Sequence, residues 1–287
     1  MNQRIAYIDF LRAYAIFLVT GYHLWRFFGK PSQEYFLYDL FAIFEKGLAG
    51  VELFFVISGF SMALVTYKGA KSASELVWKT YLLKRLYRII PAYYIAIIIW
   101  SILIYNGIAP KPIGLIDQLS HLLFIHTFTP DTYYSISGVF WSLGVEMQFY
   151  FLLPLLLWAI IRFPLILLAL ALLPLLYNNF YSMTFLFTKT VFAFFIYFLI
   201  GYLLFTYKEK LYTFIFENRF KYLIAISFFL LFLHFSFYKE TIISGQITMF
   251  LWTLSTLPLF LYLTQNSFIE NTKNNFLLFF IFTGKAS

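Results

Sequence analysis

The sequence contains no cysteine. A disulfide framework, a thiolate nucleophile and a Cys-ligated metal site are therefore excluded. Charge is scarce too. Charged residues fill 12% of the 287 positions, where soluble globular chains carry about 25%. A cleavable signal peptide is also missing, because Asp9 and Arg12 interrupt the first apolar region and no small-residue cleavage site follows. Internal repeats, low-complexity linkers and a soluble domain at either end are not seen. What fills the chain is apolar: 62% hydrophobic and 24% aromatic residues, with a mean hydropathy of +0.79. This is the composition of an integral membrane protein. Its formal charge of +8 reads as topogenic charge on loops, not as a nucleic-acid surface.

A helical span needs about 20 mostly apolar residues. Eight stretches qualify: 7–28, 48–66, 89–107, 139–161, 163–177, 184–206, 220–238 and 247–265. The expected fold is an all-α, polytopic transmembrane bundle of about eight spans, one membrane domain over residues 1–287. Pro164 and Pro174 flank the short fifth stretch, which predicts a tight hairpin with the fourth through Arg162. Segments 32–45 and 117–128 mix polar and aromatic residues and read as surface or re-entrant pieces. An N-inside arrangement puts 13 basic residues on inner loops (Arg4, Lys68, Lys71, Lys79, Lys84, Arg85, Arg88, Arg162, Lys208, Lys210, Arg219, Lys221, Lys273). Six fall outside: Arg26, Lys30, Lys46, Lys111, Lys189 and Lys239. The asymmetry favours a cytoplasmic N-terminus.

The first span carries Asp9, Arg12 and His23. At about 100° per residue, His23 lies within roughly 20° of Arg12, and Asp9 about 60° away, so the three share a stripe. Arg12 and His23 are separated by about 16 Å along the axis, which places them in opposite halves of the membrane. Either Asp9 and Arg12 form a local ion pair that eases insertion, or the stripe faces a polar cavity. The cavity is favoured, because intramembrane ionisable groups face polar interiors. Glu52, in AGVELFFVISGF, fits a helix start as well as a polar site. Glu146, one turn from Ser142 and Tyr150 and close to Gln148, reads as part of an interior polar site. Gly47, Gly50 and Gly59 read as points of close helix contact. In KRLYRII, Arg85 and Arg88 lie on one face and can fork onto phosphate oxygens; the alternative is a topogenic or lipid-headgroup role. His121 and His126, five residues apart, point to different faces of a helix, which argues against a metal pair, and His234 reads as a packed histidine.

In order along residues 9–157, four segments resemble the bacterial membrane acyltransferase family three. They are DFLRAYAI leading to His23, GVELFFVISGF, the Arg85-x-x-Arg88 pair, and FWSLGVEMQFYFLLPLL. Beyond residue 157 the similarity is one of hydropathy alone. FTGKAS resembles the lead-in to the family's closing signature, and the seven apolar residues after Asn275 are too few to cross a bilayer, so the expectation is a chain lacking its last helices.

The resemblance implies transfer of an acyl group, most often acetyl, from acyl-CoA to a hydroxyl of a cell-surface or lipid-linked sugar. It implies a multi-pass protein of the bacterial cytoplasmic membrane whose partners are membrane lipid and a glycan acceptor, with no nucleic acid and no metal. Within it His23 is expected as the base that activates the hydroxyl. Arg85 and Arg88 are expected to hold the phosphates of coenzyme A. Arg12 is expected to steer the thioester or stabilise the oxyanion, and Glu146 to orient His23 or part of the acceptor site. Direct transfer and a covalent acyl-histidine are both open. Two rival classes are a carrier or flippase of lipid-linked saccharides and a truncated non-catalytic relative. The absence of repeat symmetry speaks against the carrier.

Overall fold

The computed structural model describes residues 5–35, 38–69, 76–108, 112–180, 185, 189–237, 245–265, 272 and 274–286. Arg4, Lys71, Lys111, Lys239 and Lys273 of the charge pattern lie outside them. The regular structure of the described residues is helical apart from one hairpin of two-residue strands, β1 (Glu34–Tyr35) paired antiparallel with β2 (Tyr38–Asp39).

Helices stand at all eight expected spans. They are α1 (Ala6–Phe27), α3 (Ala49–Gly69), α4 (Leu76–Tyr105), α7 (Trp141–Arg162), α8 (Pro164–Phe180), α9 (Val191–Thr206), α11 (Lys221–Phe237) and α12 (Gly245–Gln265). Short pieces join them: α2 (Ala42–Glu45), α5 (Leu115–Leu122), α6 (Pro130–Tyr133) and α10 (Lys208–Tyr212), with α13 (Asn275–Ala286) last. By length and composition four are long and apolar enough to cross a membrane: Ala42–Thr66, Lys79–Tyr105, Trp141–Ile160 and Gln246–Gln265. A fifth forms if the Val191–Thr206 helix and the Lys208–Glu217 segment count together, but the pair bends by 85°. Leu165–Leu176 and Lys221–Phe237 are shorter apolar helices. The 22-residue α1 is long enough, but Asp9, Arg12 and Arg26 dilute its apolarity. The protein is thus a polytopic helical membrane protein, and among the described residues half of the expected spans are long and apolar enough to cross.

Sequence punctuation explains the boundaries. Gly29, at φ +80°, reverses the chain after α1. Gly107, at φ +73°, does so after α4, where the Asn106 side chain donates 2.8 Å to the Ile102 carbonyl. A single residue, Phe163, joins α7 to α8, and Pro164 begins the new helix where its missing N–H costs nothing. Pro91, Pro154, Pro174 and Pro258 lie inside helices, as membrane spans tolerate. Rows of large apolar side chains remain exposed: Ile95, Ile98, Ile99 and Ile102 on α4, and Leu223, Ile226, Phe229 and Leu230 on α11. Exposed stripes of this kind are suited to lipid, not water.

The chain forms two compact units, Met1–Ala63 with Tyr197–Ser287, and Leu64–Ile196. In the first, glycines set the spacing. A Cβ on Gly59 would run into the Phe198 carbonyl, and one on Gly201 into the Val56 carbonyl, so α3 and α9 touch backbone to backbone at two reciprocal points. Gly47 meets the Leu18 carbonyl and Gly50 the Ala15 carbonyl in the same way, which brings the start of α3 onto α1. The close contacts expected of Gly47, Gly50 and Gly59 are therefore present. Gly284 of α13 rests on the Asp9 carbonyl, and Phe280 stacks 4.5 Å from Phe17. Ala49, Phe235 and Trp252 form a buried cluster, and the Trp252 indole donates 2.9 Å to Ser236. Tyr38 reaches the His234 ring at 3.1 Å, so His234 ties α11 to the hairpin.

In the second unit the segment from α5 to α6 folds onto α4 and α7. The Tyr93 hydroxyl meets His121 Nδ1 at 2.9 Å, and the Tyr94 hydroxyl donates 2.9 Å to the Leu122 carbonyl. Phe124 stacks on Tyr93 at 4.8 Å. At φ +58° Phe124 turns the chain sharply between α5 and the 3-10 turn His126–Phe128.

Candidate active site

The segment WSLGVEMQFY becomes the first half of α7, and its residues divide between two sides. Gly144 and Gln148 are one turn apart, as are Glu146 and Tyr150, and the two pairs are offset by about 200° around the axis. On the Glu146 side, the Tyr150 hydroxyl donates to the Glu146 carboxylate. Arg85 of α4 stands over two tyrosine rings, its guanidinium carbon 5.0 Å from the Tyr81 centroid and 5.9 Å from that of Tyr150. Those rings meet edge to face at 5.9 Å. Glu146 is within electrostatic reach of the same guanidinium. Two residues predicted for separate jobs, Arg85 for the donor and Glu146 for the acceptor side, thus share one cluster. Arg88, one turn further along α4, is exposed whereas Arg85 is partly buried.

The opposite side of α7 is latched. Gly144 packs against the His126 ring and the Thr127 methyl, at 2.7 and 2.8 Å from an added Cβ, so no larger residue fits there without displacement. The Gln148 amide donates to Thr127 and, at 3.4 Å, to the Phe124 carbonyl. Its oxygen accepts the Val191 N–H at 3.2 Å. His121 and His126 stack with ring centroids 3.9 Å apart and 11° between planes. This arrangement differs from the expectation of opposed faces, because Phe124 breaks the helix between them. The rings are fully buried. His121 Nε2 lies 3.1 Å from Ser135 Oγ, and His126 Nε2 lies 3.2 Å from the Phe140 carbonyl.

Burial lowers the pKa of His121 to about 4 and that of His126 to about 3, the neighbouring ring adding to the second shift. Both are held neutral in the folded state, while in the unfolded chain they protonate near the ordinary histidine pKa of about 6.5. Their contribution to stability is complete above that pH and lost progressively as pH falls toward the folded-state values. Thermal melting in detergent is therefore expected to fall between pH 6.5 and 4, and less steeply in His126→Gln. A His126→Gln protein with the wild-type pH slope would show that the pair does not set acid stability.

In the first unit, Arg12 pairs with Asp9 at 3.4 Å, the local ion pair that spacing allowed. Asp9 is buried, and its second carboxylate oxygen has no hydrogen-bond partner among the described residues. Glu52 is buried in the first turn of α3, near Tyr197, with one oxygen likewise unpartnered there. His23 is exposed near the far end of α1, its ring 5.3 Å from Tyr22. Among the described residues no group of three or more His, Asp or Glu side chains gathers to hold a metal ion. The sequence reading missed Tyr81 and the latch of Gly144 with His126; the i,i+4 spacing of Tyr81 and Arg85 was the available signal for the first.

Residues 5–287 match the family described as the acyltransferase domain. The chain is 28% identical over 160 residues to the peptidoglycan O-acetyltransferase OatA of Listeria monocytogenes, a match covering 51% of this chain and 23% of that protein. It is 32% identical over 170 residues to nodulation protein 10 of Rhizobium leguminosarum, covering 52% of this chain and 43% of the relative. To the regulator of hypoxia-inducible factor 1 of Caenorhabditis elegans it is 28% identical over 130 residues, 43% of this chain and 26% of the other. The matches thus span less than half the length of these curated relatives. No solved structure matches. With the family match running across both units, from α1 through α13, the chain belongs to the acyltransferase 3 family of membrane O-acyltransferases.

Proposed function

We propose that the protein transfers an acetyl group from acetyl-CoA to a hydroxyl of a cell-envelope glycan. The observation that carries this reading is the family match over residues 5–287, and the similarity to a peptidoglycan O-acetyltransferase supports the acceptor class. His23 takes the proton of the attacking hydroxyl, a step that needs a base within hydrogen-bond reach. Arg12, about 16 Å from His23 along α1, steers the thioester arm of the donor. Arg85 and Arg88 hold the donor's phosphates, for which planar forked guanidinium groups are suited. Glu146 neighbours Arg85, which favours a role on the donor side over one beside His23. The test is purified protein in detergent with radiolabelled acetyl-CoA and extracted glycan. Label in the glycan is the expected result; intact donor and unlabelled glycan across a panel of envelope polymers would refute it.

The proposal places the protein in a bacterial inner membrane with its N-terminus in the cytoplasm, where acyl-CoA is made. The 13-to-6 asymmetry of loop charge supports this. Because the chain has no native cysteine, single-cysteine variants give a clean readout. An impermeant maleimide added to intact cells is expected to label a cysteine at 111 or 240 and to spare one at 71 or 209. Of these, only Glu209, exposed in α10, is among the described residues. The reverse pattern would put Arg85 on the wrong face for a cytosolic donor.

A further inference from the structure

We propose that residues 207–222, where the chain turns out of α9, form a collar that binds the headgroups of anionic phospholipids. The inference stands apart from the acyl-CoA reading, because this segment holds none of the residues assigned there.

Direction comes first. α9 is one of the eight expected spans, and the Lys208–Glu217 segment leaves it at 85°. A chain that turns through nearly a right angle at the end of a span runs along the bilayer surface, at headgroup depth. The turn is anchored from within. Ile215 is buried, and the Phe216 ring lies 4.9 Å from Tyr212 and 5.8 Å from Tyr262 of α12. The π-helical turn Thr213–Glu217 that carries these anchors therefore presents its outer side chains from a fixed backbone. What faces outward is aromatic and basic. Tyr207, Phe214, Phe220 and Tyr222 are exposed, and so are Lys210, Arg219 and Lys221.

Charge decides which lipid. Four cations and two carboxylates lie in this stretch. Glu209 meets Lys208 at 3.6 Å, and Glu217 accepts from the Thr213 hydroxyl at 3.0 Å. Lys210, Arg219 and Lys221 have no carboxylate partner among the described residues. Two of them lie on rings instead, Arg219 at 4.6 Å from the Phe220 centroid and Lys221 at 5.2 Å from that of Tyr222. A ring beside a cation matches the two levels of a headgroup, the ring at the acyl boundary and the cation at the phosphate. A groove of about 560 Å³, lined by Glu209, Lys210, Thr213, Phe214, Glu217 and Asn218, gives a headgroup room. Asn218 precedes Arg219, so the groove joins Lys210 to the cations at 219 and 221. Its two carboxylates are the ones already engaged. Exposed rings alone would suit any lipid; three cations lacking carboxylates select an anionic one.

The test uses the purified full chain in zwitterionic detergent with an equimolar mixture of phosphatidylglycerol and phosphatidylcholine. Lipid retained after gel filtration is counted by native mass spectrometry. Wild type is expected to retain phosphatidylglycerol about tenfold over phosphatidylcholine. Lys210→Gln, Arg219→Gln and Lys221→Gln together are expected to lower that preference about fivefold. The melting temperature should not change, because all three side chains are exposed. Arg219→Lys keeps the charge and is expected to keep the preference. Salt at about 0.5 M, which screens charges within a few ångströms, is expected to weaken it in wild type. Equal retention of the two lipids by wild type would overturn the proposal, as would a triple variant as selective as wild type. Should the triple variant fail to fold, Lys210→Gln alone decides: a loss of preference supports the collar, and no loss overturns it. Excess coenzyme A is expected to leave the retained lipid in place. Its displacement would make the collar a site for the donor's phosphates and overturn lipid as the occupant.

Discussion

Replacing His23 by alanine is expected to lower acetyl transfer by about 10²–10⁴-fold, the usual contribution of a positioned acid–base group. The same change is expected to leave the melting temperature within a degree or two of wild type. His23 is exposed in α1, and its ring contact is with Tyr22, the preceding residue on the same helix. Truncation therefore opens no cavity and strands no buried partner, the routes by which single substitutions become severely destabilising. Loss of activity with an intact fold would be chemical in origin. His23→Gln, which retains hydrogen bonding but cannot act as a base near neutral pH, is expected to be equally inactive. The measurement is label transfer from acetyl-CoA to glycan alongside a melting curve. Substantial turnover by either variant would remove His23 from the reaction and return α1 to a purely structural role.

The largest effect on folding is expected at the α3–α9 contact. Gly59→Leu and Gly201→Leu each place a side chain where a carbonyl of the facing helix already stands, Phe198 for the first and Val56 for the second. Overpacking a well-filled core typically costs about 1–3 kcal/mol and occasionally more. Here the obstruction is backbone, which cannot rotate aside, so the upper end applies. Phe55 stacks on Phe198 at 4.7 Å and Phe60 meets Phe205 at 5.2 Å, so forcing the helices apart would also open these ring contacts. Both variants should accumulate poorly and elute as aggregate in size-exclusion chromatography. Gly29→Leu, altering a glycine with no atom within 4 Å of an added Cβ, controls for glycine loss outside a helix contact and carries only its own turn strain at φ +80°. A Gly59→Leu protein as stable and monodisperse as wild type would show that α3 and α9 can separate without penalty.

Much of this was legible in local pattern. Runs of apolar residues located the eight helices, because a membrane helix must satisfy its backbone within its own segment. The i,i+3 spacing of Asp9 and Arg12 announced their ion pair, and the glycines of α3 announced close contacts. What escaped depends on distance along the chain or on a single backbone angle. Arg85 and Glu146 are 61 positions apart, and no periodicity links them. The stacked histidines required Phe124 to take a positive φ, a conformation rare for a bulky residue and invisible in hydropathy. Among the described residues four of the eight expected spans, or five with the bent pair, meet the length and composition of a full crossing, the others being shorter or more polar helices. Hydropathy sums composition, whereas α9 bends by 85° into the segment that follows it, and the described parts of α8 and α11 are 17 residues each.

The contact of Gly284 with the Asp9 carbonyl has a consequence for biogenesis. Its two partners belong to the first and last described helices, with residues 28–274 between them. At about 5–20 residues per second, ribosomes need roughly 12–50 s to make that interval. Residues 64–196 are contiguous and can settle as soon as they are inserted, whereas α1 waits for α9 to α13 before its own unit closes. Throughout that wait the Asp9–Arg12 pair sits in a bilayer without the helix that later covers it. Holding so polar a helix in place for tens of seconds is work for insertion machinery, and the length of the wait is set by chain order alone.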